Sequence, residues 1–241
     1  MPNNVEKVSF NYSPNFDSTK RNKKKIKYLI FHYTGMRSDR SALKRLTNHN
    51  SKVSCHYYIT KEGKLIQLVP DLYVSWHAGK SNWGKDKSIN NTSIGIEISN
   101  PGHNYGYKKF NKKQINTLIK ISKLLIKNYK ISKQNVLGHS DIAPLRKSDP
   151  GEKFPWKFLA NKKIGVWHKI NLRQCKNLRG ENQNIKKKYF LSKLRKFGYC
   201  TKFSNSKELK KIIKSFQRRF RPQLIDGKLD QECFEIIKSL I

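Results

Sequence analysis

The sequence predicts an α/β fold, with a central, mostly β sheet flanked by helices, followed by a small C-terminal module of three helices. Three observations lead to this prediction. The run Ile26 to Tyr33 is apolar on both faces, which is typical of a central strand. Two further strand patterns, Ser93 to Ser99 and Ile131 to Leu137, enclose a long helical pattern. Residues 185–241 then carry apolar residues at helical spacing.

The first hundred residues add an arm, a short helix and a hairpin to this plan. Residues 1–25 are polar and end in a lysine cluster, so we expect an irregular, solvated arm. A short helix capped by Ser38 or Asp39 follows. Residues 53–69 contain two β-rich runs and form a hairpin that turns at Gly63.

The strand Ser93 to Ser99 alternates apolar and polar positions. Its isoleucines share one face, which turns Glu97 to the other. If the isoleucines pack against helices, Glu97 projects toward a cleft, and the neighbouring Gly95 leaves room for a ligand. The alternative is a surface glutamate on a half-exposed strand.

The long helix and the strand after it lead to the most informative loop. Asn111 and Gln114 have the spacing of a capping box at the start of the helix. The strand over residues 131–137 then delivers His139 to its exit, which repeats the arrangement of His32 at the end of the first strand.

Length and composition indicate two domains and a strongly basic chain. We expect the 241 residues to divide into a first domain over residues 1–160, a linker over residues 161–184 that is partly docked on it, and a second module over residues 185–241. The formal net charge is +36, from 52 Lys and Arg against 16 Asp and Glu. Because the lysines are spread from end to end, nucleic acid is not the expected partner, and anionic glycan strands match the charge equally well.

The spacing of the cysteines argues against a disulfide-rich or Cys-metal protein, and the length of the apolar runs argues against a membrane-spanning protein. The four cysteines have no paired spacing, so we predict free, buried thiols and neither a disulfide framework nor a Cys-based metal site. No apolar run is long enough for a membrane span, and the first residues lack the apolar segment of an export signal. We therefore expect no membrane span. We also expect the protein to be a monomer.

The stretch Gly138 to Gly151, which reads GHSDIAPLRKSDPG, contains two potential metal ligands. A catalytic zinc takes three protein ligands and leaves a fourth position open. His139 and Asp149 supply two of them, and His32 is the best candidate for the third because sites tend to lie where strands end beside loops. Taken alone, a histidine after a strand is more often a hydrogen-bonded structural residue.

Five motifs occur in one order within about 120 residues: FHYTG, SCHYYI, WHAG, IGIEISNPG and GHSDIAPLRKSDPG. Together they resemble the zinc-dependent N-acetylmuramoyl-L-alanine amidases of the AmpD and AmiD type, whose fold is shared with the peptidoglycan-recognition proteins. The resemblance covers roughly residues 8–170. It implies one zinc ion held by His32, His139 and Asp149, and hydrolysis of the amide between N-acetylmuramic acid and the L-alanine of the stem peptide, in peptidoglycan or muropeptides. A non-catalytic peptidoglycan-recognition protein is the alternative. Members of that branch have lost a ligand, so the presence of His32, His139 and Asp149 argues against it.

The same resemblance implies roles for residues around the metal. Glu97 is implied as general base and acid, taking a proton from water and passing it to the leaving amine. Lys147, two residues before the last ligand, is implied in stabilising the oxyanion. For substrate contacts we predict His77, Asn100 and Arg146, with a packed, hydrogen-bonded ring as an equal alternative for His77.

The C-terminal strings LRKFGYC, KSFQRRFRP and IDGKLDQEC resemble the three-helix peptidoglycan-binding module that is often fused to such amidases. We expect its helices at Ile185 to Phe197, Ser206 to Phe220 and Asp230 to Ile241. A polymer-binding module favours the cell envelope or periplasm slightly, and the cytoplasm is the alternative because no signal peptide is visible.

Overall fold

The computed structural model describes residues 8–171, 173, 177–179 and 187–241. Six strands form one mixed sheet in the order β1-β5-β4-β7-β3-β8, and β2 pairs with β6 in a separate ribbon. Only β4 and β5 pair antiparallel within the large sheet. The strands are β1 (Ser9–Phe10), β2 (Phe16–Asp17), β3 (Tyr28–Tyr33), β4 (Tyr57–Ile59), β5 (Leu65–Gln67), β6 (Val74–Ser75), β7 (Ser93–Ile98) and β8 (Val136–Gly138).

Helices cover both faces of the sheet, which confirms the predicted fold class. Within the described residues they are α1 (Asp39–Thr47), α2 (Ile89–Thr92), α3 (Lys112–Tyr129), α4 (His139–Ile142), α5 (Trp156–Asn161), α6 (Lys187–Phe197), α7 (Ser206–Phe220) and α8 (Gln231–Ser239). None of them is long and apolar enough to cross a membrane.

The central strand β3 carries two different faces because successive side chains point to opposite sides. It lies between β7 and β8, parallel to both, as its apolar pattern predicts. We call one side the core face; it carries Leu29, Phe31, Ile94, Ile96, Ile98 and Val136. We call the other side the site face; it carries Tyr28, Ile30, His32, Tyr58, Glu97 and Leu137.

The long helix α3 covers the core face. Its first turn has a capping box in which Asn111 accepts from the Gln114 backbone and Gln114 accepts from the Asn111 backbone, as the spacing predicts. Leu118 is fully buried in the cluster that the core face forms with α3 and α5. This side of the sheet is a closed apolar layer.

The site face is covered at its two ends by different elements. At one end α1, capped by Ser38, packs Ala42 and Leu46 near Tyr58. At the other end Tyr28, Ile30 and Leu137 belong to one apolar cluster with the C-terminal helices; its members from those helices include Phe190, Ile212 and Phe216. An open cavity bordered by α1 lies over the part of this face that carries Glu97.

The structure corrects the sequence predictions at several boundaries. The arm over residues 1–25 is not wholly irregular, because β1 pairs with β5 and β2 with β6. The strands β1 and β2 have only two residues each, so the sequence shows no alternation of apolar residues from which they could be predicted. The strand predicted over residues 131–137 is reduced to β8, since a 3-10 turn precedes it. The hairpin with its turn at Gly63 is confirmed.

The three C-terminal helices lie where the periodicity predicts them. The middle helix α7 spans the predicted Ser206–Phe220, and Asp230 is the N-cap of α8. The start predicted for the first of them, residues 185 and 186, lies outside the described residues. In the described part of the predicted linker, Ile164 is fully buried in the apolar cluster of the core face. Cys55, Cys200 and Cys233 are free, and Cys175 is outside the described residues.

Candidate active site

Three parts of the fold deliver the three predicted metal ligands to one point. His32 is near the end of β3, and His139 is the first residue of α4, directly after the neighbouring strand β8. Asp149 returns to them through the loop after α4, where its carbonyl accepts a hydrogen bond from the Ser140 backbone at 2.8 Å. All three ligand side chains are buried.

The ligand atoms form a nearly equilateral triangle. His32 Nδ1 lies 2.9 Å from His139 Nδ1, and Asp149 Oδ2 lies 3.1 Å from the first and 3.0 Å from the second. Nitrogen and oxygen ligands of tetrahedral zinc, bound at 2.0–2.1 Å, are about 3.3 Å apart. The triangle is therefore of the size that one small cation needs.

The hydrogen bonds of the outer ring nitrogens, Nε2 of His32 and His139, show which nitrogen of each ring has a free lone pair toward the metal position. His139 Nε2 donates to the Ala78 carbonyl at 3.1 Å, and His32 Nε2 donates to His77 Nδ1 at 3.0 Å. Both Nδ1 atoms are then unprotonated in the neutral rings, as a metal ligand must be. The donor set of two imidazoles and one carboxylate thus fits a divalent cation such as zinc.

A chain of hydrogen bonds runs from His32 through His77 into the interior of the protein. Its Nε2 donates to Ser93 Oγ at 3.0 Å, and Ser93 Oγ donates to the Ile89 carbonyl at 2.6 Å. A Cβ at Gly95 would lie 2.4 Å from the His77 ring. The expectation that Gly95 makes room for a ligand is therefore wrong, because the ring of His77 fills that space.

Burial and neighbouring charges shift the pKa values of His32 and Asp149 toward their metal-binding forms. Burial lowers the pKa of His32 to about 4, and the charge of His139 acts in the same direction. Burial opposes ionisation of Asp149, but the hydrogen bonds and charges of His139 and His32 hold its pKa well below the ordinary value. Neutral imidazoles and an ionised carboxylate are the forms that bind a metal.

Glu97 is the acidic group beside this centre. It pairs in register with His32 on β3 and with Tyr58 on β4, and it lines the cavity. One of its carboxylate oxygens is buried and has no hydrogen-bond partner. Burial, followed by the charge of Asp149, raises its pKa to about 8. A carboxyl group with such a pKa can both accept and donate a proton near neutral pH.

The cavity in front of the centre is large, and its wall carries more cationic than acidic side chains. Its volume is about 880 Å³, and its wall includes His139, Asp149 and Glu97 together with Lys147 and Arg146. The loop is tightened by a hydrogen bond from the Lys147 backbone to the Ala143 carbonyl at 3.0 Å. The exposed Lys147 side chain therefore lies on the same cavity as the ligand set.

The three predicted substrate-contact residues occupy different positions. Arg146 is on the cavity wall, where its guanidinium donates to the carbonyls of Lys80, at 2.9 Å, and Ala78. His77 packs behind His32, as described above. Asn100 is buried in the loop after β7, donating to the Lys108 carbonyl at 2.8 Å. The predicted substrate contacts of all three stay predictions.

Sequence reasoning missed a polar chain at the rim of the site. Tyr33 and the His103 Nδ1 atom are hydrogen-bonded at 2.8 Å, and His103 Nε2 lies 3.0 Å from a carboxylate oxygen of Glu152. Arg218 of α7 approaches the same carboxylate at 3.9 Å. These residues are far apart in the chain, and no local spacing indicates that they meet.

Comparison with known proteins places the chain among characterised relatives. The family model described as N-acetylmuramoyl-L-alanine amidase matches residues 22–152. The chain is 36% identical over 231 residues to the N-acetylmuramoyl-L-alanine amidase AmiD of Escherichia coli, covering 90% of this chain and 83% of the relative.

Solved structures agree with the sequence matches. The complex of Escherichia coli AmiD with the substrate anhydro-N-acetylmuramic acid-L-Ala-D-gamma-Glu-L-Lys superposes with a TM-score of 0.80 at 35% identity, covering 90% of this chain and 88% of the other. Pseudomonas aeruginosa AmpDh3, in complex with an anhydromuramic pentapeptide, has a TM-score of 0.79 at 28% identity, covering 99% and 96%.

Proposed function

The chain belongs to the N-acetylmuramoyl-L-alanine amidase family, and from this premise we propose that it is a zinc enzyme whose ion is held by His32, His139 and Asp149. One observation carries the proposal: the three ligand atoms lie 2.9–3.1 Å apart with both outer ring nitrogens already occupied as donors. Zinc held by these three residues would act as a Lewis acid, lowering the pKa of water and polarising the scissile carbonyl.

We assign the proton transfers to Glu97. Its raised pKa lets it remove a proton from the attacking water and hold it on the carboxyl group. The same carboxyl group then delivers that proton to the nitrogen of the L-alanine residue as the amide bond breaks. The unpartnered, buried oxygen of Glu97 supports this role, because a group already held by hydrogen bonds would transfer protons less readily.

Lys147 is the residue that we propose for the developing negative charge on the carbonyl oxygen. Its ammonium group is attached to the loop that ends at Asp149 and lines the same cavity. A fixed positive charge near the position of the oxyanion stabilises the transition state more than the ground state. Lys147→Met should therefore lower kcat and leave zinc binding unchanged.

The substrate that we propose is a muropeptide, either free or within peptidoglycan. The similarity to AmiD covers nearly the whole chain, and AmiD is seen with an anhydromuramyl peptide. The cavity, with Arg146 and Lys147 on its wall, suits the carboxylates of such a peptide.

Turnover of two synthetic substrates tests the proposal. The zinc-loaded protein should release the stem peptide from anhydro-N-acetylmuramyl and from intact N-acetylmuramyl peptides, as followed by mass spectrometry. Treatment with a chelator should abolish release, and added zinc should restore it. Release that survives complete removal of metal would refute the zinc assignment. Binding without any release would favour the non-catalytic recognition protein.

For the C-terminal helices we propose binding to polymeric peptidoglycan. A cavity of about 710 Å³ lies beside α8, and its wall includes Gln231, Glu235 and Lys238. Filling it with Gln231→Trp should reduce the fraction of protein that sediments with sacculi and should leave the rate on soluble muropeptides unchanged. Equal sedimentation of the two proteins would remove this proposal.

A polymer-binding role requires access to the polymer, so we propose the cell envelope as the location. Fractionation of cells that produce the native protein at its natural level tests this directly. Recovery in the cytoplasmic fraction alone would contradict the proposal and would favour a role on soluble muropeptides.

A further inference from the structure

We propose that the C-terminal helices are part of the support of the metal centre, with Arg219 acting as a positioning residue for His139 through Asp141. This inference rests on the proposed zinc site and assigns these helices a role beyond binding polymer. The short helix α4 spans only His139–Ile142. Four residues have little helical stability of their own, so the position of His139 depends on what holds this turn from outside.

Asp141 is the main attachment point of α4. Its carboxylate is 1% exposed, and Oδ2 accepts from the Gly138 backbone at 2.7 Å. Tyr199, between α6 and α7, donates its hydroxyl to Oδ1, and Arg219 of α7 donates to Oδ2. The residue two positions after a proposed ligand is thus held by two side chains of the C-terminal part.

Arg219 also holds the strand that leads into α4. Its second terminal nitrogen donates to the Val136 carbonyl of β8 at 3.0 Å, and the guanidinium lies 4.3 Å from the ring of Trp156. The side chain is 1% exposed. A planar group with several donors can bind a carboxylate and a carbonyl at once, which a flexible lysine ammonium does less well.

A second contact reaches another ligand through Ser140. Ser215 of α7 is fully buried and donates its hydroxyl to the Ser140 carbonyl at 2.6 Å. The Ser140 backbone in turn donates to the Asp149 carbonyl at 2.8 Å. The helix α7 therefore contacts the backbone that places two of the three ligands.

Loss of the guanidinium would leave the carboxylate of Asp141 buried without its positive partner. The turn would then have to move or take up water, because an uncompensated buried charge is strongly unfavourable. Either change displaces His139 relative to His32 and Asp149. Outer partners of metal ligands typically change metal affinity or activity by about 10- to 100-fold.

The chain offers a matched control in Arg221. This arginine is also 1% exposed, and it forms ion pairs with Asp230 and Glu232 at the start of α8, away from α4. Arg221→Met breaks a buried pair of the same kind without touching the metal turn. A purely structural role for Arg219 predicts the same behaviour from both variants.

The experiment measures the zinc dissociation constant by competition with a chromophoric chelator. The proteins compared are full-length Arg219→Met, Arg219→Lys, Ser215→Ala, Arg221→Met and the unaltered protein. Thermal stability and the kinetic constants are measured on the same samples. We expect zinc binding to weaken about 10- to 100-fold in Arg219→Met and less in Arg219→Lys. We expect no change in Arg221→Met, although both Met variants melt at lower temperature.

Two results would overturn the inference. One is a zinc dissociation constant in Arg219→Met equal to that of the unaltered protein. The other is unchanged zinc binding in the milder Ser215→Ala variant. This second result can be measured even if Arg219→Met fails to fold. Zinc binding by the unaltered protein tests the proposed function separately, because its absence would refute the zinc site itself.

Discussion

The two faces of the central sheet are built from alternate residues of the same strands, yet they have opposite character. On the core face, Phe31 of β3 and Ile96 of β7 pair in register beneath α3 and α5. One position further along, His32 and Glu97 pair in the same register on the site face. A shift of one residue thus separates a closed apolar layer from the groups proposed for catalysis.

The comparison shows how a rigid site is obtained from few elements. The core face fixes the strands by apolar burial, so the site face need not supply the stability of the sheet. The site face can then hold buried groups that cost stability, such as the unpartnered oxygen of Glu97. Substitutions on the two faces should accordingly separate activity from stability.

The largest effect on activity is expected from Asp149→Ala. With two of three ligands left, the site should lose its zinc, and turnover should fall to the background rate. Metal analysis of the purified variant, together with the rate on a muropeptide, checks this. The control is Asp71→Ala, which removes a carboxylate that accepts from Tyr57 and Tyr129 away from the metal. Full zinc occupancy in Asp149→Ala would contradict the ligand assignment.

Glu97→Gln should retain zinc and lose most of its turnover. Glutamine has nearly the same shape but cannot transfer the proton, and general base catalysis contributes about 10² to 10⁴ in rate. The measurement is kcat and zinc content of the same preparation. Glu62→Gln, at the exposed turn between β4 and β5, is the control. A metal-free Glu97→Gln protein would mean that this residue is a ligand.

A smaller effect is expected at His77, behind the ligand His32. His77→Leu removes the acceptor of the His32 Nε2 proton and should weaken zinc binding about 10- to 100-fold. His77→Asn keeps an acceptor at a similar distance from the backbone and should recover part of the affinity. Equal zinc binding in both variants would show that the hydrogen bond does not position His32.

The sequence was sufficient for the parts of the fold and site that depend on local pattern. Alternation separated Phe31 from His32 along β3 and Ile96 from Glu97 along β7. The register then shows which of these residues share a face. The position of α7 also followed from its apolar spacing. The grouping of His32 with His139 and Asp149 rested on the position of His32 at a strand end and on the motif resemblance, because no local spacing joins residues more than a hundred positions apart.

Contacts between distant, individually ordinary residues were not predictable. The ring of His77 fills the space beside Gly95, which alternation alone indicated as free. Arg219 is one of many basic residues, and its sequence context does not distinguish it from the exposed ones. Only the packing of α7 against α4 shows that this guanidinium is buried on Asp141.

On the core face, Leu118→Ala should leave the site intact and reduce stability. Leu118 is fully buried under the sheet, and removing a leucine side chain from such a position costs about 2–5 kcal/mol. The free energy of unfolding from denaturant titration measures the loss. At a temperature where the variant remains folded, kcat and zinc content should equal those of the unaltered protein. A fall in kcat without loss of structure would mean that the two faces are coupled.

The smallest expected effect concerns the stability cost of Glu97 in the metal-free protein. The pKa of Glu97 is raised from its ordinary 4.5 to about 8 by burial and by the charge of Asp149. Between these pH values the unfolded chain has released the proton while the folded chain retains it, so this group's contribution to stability declines as pH rises.

Glu97→Gln removes that decline, because glutamine does not ionise. In the presence of a chelator, its melting temperature relative to the unaltered protein should rise between about pH 4.5 and pH 8 and then level off. We expect a gain of only a few degrees, since the cavity admits water that screens the charge. Thermal melts at several pH values, with Glu62→Gln as the control, check this. A difference that stays constant across this range would show that Glu97 ionises in the folded protein as readily as in the unfolded chain.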